Sequence, residues 1–195
     1  RGLVGSEMCI RDSRNTVFTG AITANLISMM VDVGFIYFAS QHLQLVSGLP
    51  PMYAGMLLIP GTLAIIIAGL VIARVAVHFH PAQVVSFGLA LHAAAFAVLA
   101  FLGAHNDLVI ILIFIVLGTG IGIAQTISND LMLSSVPPRK AGAASAISET
   151  SYETGTVLGT VIIGGMLTAV YRANVVVPDG LDETLADHAH ETLGG

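Results

Sequence analysis

The chain has 195 residues, 55% hydrophobic and 10% charged, with a formal net charge of −5 and a mean hydropathy of +0.87. Soluble domains carry about 25% charged residues, so a water-soluble fold could not cover this much apolar surface. The single cysteine, Cys9, excludes an intramolecular disulfide and a thiolate metal cluster. No basic cluster is present to suggest a nucleic-acid partner.

The opening stretch, "RGLVGSEMCIRDS", has neither the layout of a signal peptide nor the apolarity of a span. It resembles a translated adapter, and residues 1–13 are expected to be a non-native leader. Five apolar segments follow, at about 17–40, 52–73, 82–104, 108–133 and 143–171. Each reaches the roughly 20 residues that cross a bilayer core. They lack the apolar/polar alternation that membrane β-strands need. The expected fold class is therefore all-α: a polytopic helical membrane protein with five transmembrane helices.

Basic residues set the expected orientation. Arg14, Arg74, Arg139 and Lys140 fall on one side of the membrane if the first span runs outward, while the opposite connections hold "QLVSGLPP" and "AHNDL". The positive-inside rule makes the basic side cytoplasmic. The closing segment 172–195, with Asp179, Asp182, Glu183, Asp187 and Glu191, is then an acidic extracytoplasmic loop.

An acid at the centre of a membrane helix costs about 2.5–3.5 kcal/mol on insertion scales, so such residues are functional candidates. In the first span, Asn25, Ser28 and Asp32 share a face at i, i+3 and i+7. Asp32 is a candidate for proton or substrate-charge handling, with helix packing as the alternative. Gln41 and Gln44 suit the interface at its end. Pro60 is expected to kink the second span. His92 in the third is read as a packed neutral imidazole. Two H-x-H pairs, His78/His80 and His188/His190, offer too few ligands for zinc, so no metal site is expected.

The fourth span holds Gly118 and Gly122, and the fifth holds Gly155 and Gly159. Both are G-x-x-x-G spacings that let helix backbones approach closely. Asp130 is expected to cap a helix or pair with Arg139, and Pro137 and Pro138 end the fourth span. The fifth span is the most informative. Ser145, Glu149, Tyr152, Glu153, Thr156 and Thr160 fall within an arc of about 100°, which must face protein or water. Glu149 and Glu153 lie about 12 and 18 Å from the helix start, bracketing the midplane. Two carboxylates four residues apart in a low-dielectric site repel when both ionise, so the pair is expected to retain a proton.

The strings "ASQHLQLVSGLPPMYAGMLLIPG" and "LMLSSVPPRKAGAASAISETSYETGTVLGTVIIGGML" carry a resemblance. Residues 14 to about 190 resemble the C-terminal half of a major facilitator superfamily transporter. More narrowly, they resemble the fourteen-helix drug:proton antiporter branch, which includes the quaternary-ammonium efflux pumps. The resemblance implies five spans of an incomplete six-helix half, 14–171, lacking the N-terminal half and the last helix. It implies a bacterial inner-membrane exporter of lipophilic cations, driven by the proton gradient without a cofactor and working by alternating access. It assigns proton and cation handling to Glu149, with Tyr152 and Glu153 in the same motif. The second span, "LLIPGTLAIIIAGLVIARV", lacks the acid found there in some of these pumps, and Asp32 is the candidate to replace it. Phe35, Tyr37, Phe38 and Tyr152 are candidate aromatic neighbours for a cation. Rival readings are a transporter of a neutral or anionic solute, and a channel or scaffold subunit. No H-E-x-x-H, G-x-S-x-G or P-loop signature points to an enzyme.

Overall fold

Each apolar segment forms a helix. The computed structural model describes residues 16–104 and 106–174. It contains α1 (Thr16–Gln41), α2 (Pro51–Val75), α3 (Pro81–Leu102), α4 (Asp107–Ser134) and α5 (Ala141–Asn174). All five are long and apolar enough to cross a membrane. Residues 1–13 and most of the acidic segment 172–195, including His188 and His190, lie outside the described residues.

Local chemistry fixes the boundaries. A proline opens α2 and α3, at a position where the missing N–H has no helical partner to lose. The Asn106 side chain caps α4 by accepting from the Leu108 N–H at 3.0 Å. Gly48 and Gly103 turn the chain at the same end as that cap, with φ of 68° and 67°, a region that favours glycine. At that end α1 runs into a short π-helical turn, His42–Val46, and Ser47 Oγ donates to Asp107 Oδ1 at 2.6 Å. The α2 helix runs on through Pro60.

The α4 helix is the centre of the bundle, packed against α1, α2 and α3, while α5 packs mainly on α1. Its glycines explain how three neighbours fit. A Cβ on Gly118 would come within 2.5 Å of the Gly61 carbonyl oxygen, and one on Gly122 would strike that of Ile65. Gly120 faces the other way, where a Cβ would lie 2.7 Å from the Gly88 carbonyl oxygen. Gly155 and Gly159 do the same for the α1/α5 pair, against the carbonyls of Leu26 and Met30. Both G-x-x-x-G spacings are therefore close-contact seams.

Two apolar clusters bound the interior. One, at the end carrying Arg74 and Arg139, joins Phe18, Ala21, Met132 and Ala144. The other joins Phe35, Ile110, Phe114, Leu117 and Ile121, with Phe35 stacked on Phe114 at 5.2 Å between ring centres. The Phe35 ring is fully committed to this core, which corrects its expected place beside a cation. Tyr37 and Phe38 remain half-buried.

Candidate functional site

Between those two clusters lies a polar layer built by α1, α4 and α5. Three residues of α4, Gln125, Ser128 and Asn129, stand at i, i+3 and i+4 and so share one face. Asn25 on α1 is fully buried, and its Nδ2 donates to Ser148 Oγ at 3.4 Å and Ser151 Oγ at 3.5 Å, both on α5. Ser148 Oγ donates to Asn129 Oδ1 at 2.9 Å. Asn129 Nδ2 donates to the Tyr152 hydroxyl at 2.6 Å. Ser151 Oγ donates to the Ser148 carbonyl at 2.7 Å, and Gln125 Nε2 approaches Met29 Sδ at 2.8 Å. Three helices are thus tied together by side-chain amides and hydroxyls.

The structure divides the predicted site residues between two surfaces. Tyr152 is half-buried and turned toward α4 through Asn129. Glu149 and Glu153 stand on the exposed side of α5, so nothing among the described residues covers them. The low-dielectric pair expected from the sequence is not formed within this chain. A helix packed on α1 through Gly155 and Gly159 must turn its opposite side outward, and the glutamates are on that side. Asp32 is half-buried, with Oδ1 sealed inside and without a hydrogen-bond partner. Asp130 is exposed one turn before the end of α4.

Sequence reasoning missed Ser148, Ser151, Ser128 and Asn129. For Ser128 and Asn129 the signal was present in "QTISND", whose polar residues repeat at helical spacing inside an apolar span. His92 is buried between α3 and α4 beside Gly120, with neither ring nitrogen hydrogen-bonded. Among the described residues, no group of three or more His, Cys, Asp or Glu is placed to hold a metal ion.

Membrane-length helices, packed through glycine seams around a polar layer, define a polytopic helical membrane protein. The chain belongs to the Major Facilitator Superfamily, whose family model matches residues 8–160. It is 47% identical over 180 residues to the multidrug efflux pump LfrA of Mycolicibacterium smegmatis, covering 91% of this chain and 36% of that protein. It is 30% identical over 183 residues to the methyl viologen resistance protein SmvA of Salmonella typhimurium, with the same coverage of each. A third relative, the tetracenomycin C resistance and export protein of Streptomyces glaucescens, is 29% identical over 148 residues, 75% of this chain and 27% of that protein. The chain thus spans about a third of the length of the curated relatives it matches.

Proposed function

We propose that this chain is part of a proton-coupled multidrug efflux transporter that exports lipophilic and quaternary-ammonium cations by alternating access. The observation that carries the reading is the placement of Glu149 and Glu153 on the unpartnered side of a membrane-length helix. Two ionisable groups at that depth are too costly to leave in hydrocarbon. The face therefore belongs against the remainder of the transporter, across an aqueous path where a cation and a proton compete for the carboxylates. The names of three relatives, an efflux pump and two resistance proteins, support a drug-like substrate. Methyl viologen, in one of those names, is itself a quaternary-ammonium dication.

In this reading Glu149 exchanges the proton against the substrate charge, Glu153 shares that site, and Tyr152 holds the helix register through Asn129. Asp32 supplies a further carboxylate on α1. The basic end, with Arg74, Arg139 and Lys140, faces the cytoplasm of a bacterial cell, and residues 172–195 lie outside. The proton's electrical contribution, about 2.3 kcal/mol per charge per 100 mV, is on the scale of the affinity change a single carboxylate can supply.

The test is efflux of ethidium from an efflux-deficient host expressing the complete transporter, with and without a proton uncoupler. Uncoupler-sensitive efflux that Glu149→Gln abolishes at equal membrane level is the expected result. An intact wild type that moves no ethidium removes the cationic-drug reading and puts another solute, or a channel or scaffold role, in its place.

A further inference from the structure

The polar layer contains more oxygen than its own side chains satisfy. Asn25, Ser28 and Ser128 are each 0% exposed. Asn25 Oδ1, Ser28 Oγ, Ser128 Oγ and Asp32 Oδ1 are all buried without a hydrogen-bond partner. The amide of Asn25 is held by its donors to Ser148 and Ser151, which leaves Oδ1 as the free end. These groups lie along one row. Asn25, Ser28 and Asp32 repeat at i, i+3 and i+7 on α1. The cluster that Ala21 shares with Met132 and the contact of Met29 with Gln125 bring Ser128 to the level between Asn25 and Ser28.

Four orphaned oxygens in one layer cannot remain so, because each unsatisfied buried polar group costs about 1–3 kcal/mol. Internal water resolves the cost, since a buried molecule typically makes about three hydrogen bonds to such groups. Length decides between water and a bound ion. Asn25 and Asp32 are separated by about 10 Å along the helix axis. A cation with oxygen ligands at about 2.4 Å cannot span that row, whereas a file of hydrogen bonds can.

We propose that Asn25, Ser28, Ser128 and Asp32 enclose an internal water site, a file of about two or three molecules that gives the inward oxygen of Asp32 its hydrogen-bond partner and its proton. The Phe18–Met132–Ala144 cluster closes the file toward the basic end. Asn129, Ser148 and Tyr152, all half-buried, bring the layer to the surface beside Glu149. Asp32 then has two faces. Its inner oxygen takes protons from the file, and its half-exposed side is open to a solute. The proton-path part of this inference rests on the proton-coupled reading above; the water site does not.

The experiment is infrared difference spectroscopy of the complete transporter at acid pH, with the Asp32 carboxyl band assigned by its loss in Asp32→Asn. Two double variants of matched shape isolate the hydroxyls. Ser28→Thr with Ser128→Thr keeps them, and Ser28→Val with Ser128→Val removes them. The carbonyl band is expected to move to higher wavenumber in the valine pair and to stay in place in the threonine pair. Uncoupler-sensitive ethidium efflux falls about tenfold in the valine pair alone, at unchanged ethidium affinity. Should the valine pair fail to fold, Ser128→Ala, which adds no volume, carries the same band shift.

A band that the valine pair leaves in place overturns the inference, as does one that both pairs move equally. A band that follows sodium concentration replaces water with a bound cation. Because the band is read without substrate, absent ethidium efflux in the wild type would defeat only the proposed function.

Discussion

Asn129 holds two partners at once, accepting from Ser148 and donating to Tyr152, so its loss and the loss of one partner differ in cost. Tyr152→Phe removes a single acceptor. Side-chain hydrogen bonds between membrane helices average about 0.6 kcal/mol, so a small fall in the melting temperature of the purified transporter is expected. Asn129→Leu frees both Ser148 and Tyr152 and adds an apolar side chain to a polar layer. Its loss should be two- to threefold that of Tyr152→Phe, and equal melting temperatures would show that the network contributes little. Glu149 presents the opposite case. It is exposed on α5, and surface substitutions usually change stability by less than about 0.5 kcal/mol. Glu149→Gln should therefore melt with the wild type while losing coupled efflux. A variant that unfolds would recast Glu149 as a structural group.

Helix seams were legible in the sequence because close packing without side chains needs glycine at fixed spacing. Gly118/Gly122 and Gly155/Gly159 both lie where a Cβ would strike a backbone carbonyl. The partner of each seam was not legible, since a spacing names a face and not its neighbour. The helix limits fell within a few residues of the apolar runs, because prolines and an asparagine cap mark them locally. The polar stripe of α5 was legible as a stripe, but its division was not. Helical periodicity placed Tyr152 with Glu149 and Glu153, and only packing on α1 turned Tyr152 inward and the acids out. Backbone seams give a sharp prediction. A Cβ at Gly159 would lie 2.5 Å from the Met30 carbonyl oxygen, which cannot swing aside as a side chain can. Gly159→Val should separate α1 from α5, at a cost above the usual 1–3 kcal/mol of overpacking, roughly. Gly165 has nothing within 4 Å of a built Cβ, so Gly165→Ala serves as the control. Monodisperse protein recovered by size exclusion is expected to collapse for the first and persist for the second. Equal recovery would mean the seam is looser than its geometry.

At the scale of the molecule, the bundle turns two kinds of surface outward. The first is apolar throughout: Ile66, Leu70 and Val116 stand exposed on α2 and α4, as residues facing acyl chains should. The second, on α5, mixes exposed Val157 and Val161 with Glu149 and Glu153. No single solvent suits both. A charged group in hydrocarbon costs about 2.5–3.5 kcal/mol, so the α5 surface needs water or protein against it, while the first surface needs neither. Cysteine accessibility separates these environments once the transporter's own cysteines have been replaced by serine. In the complete transporter, Glu149→Cys and Glu153→Cys should react with a membrane-impermeant maleimide. Ile66→Cys and Val116→Cys should remain unlabelled, because thiols in lipid stay protonated and unreactive. Ethidium should slow labelling at 149 and 153 if the cation shares that path. Labelling of the two lipid-side thiols as fast as the glutamate positions would mean that α5 has no privileged access to water. The acids would then have to be explained by helix packing outside this chain.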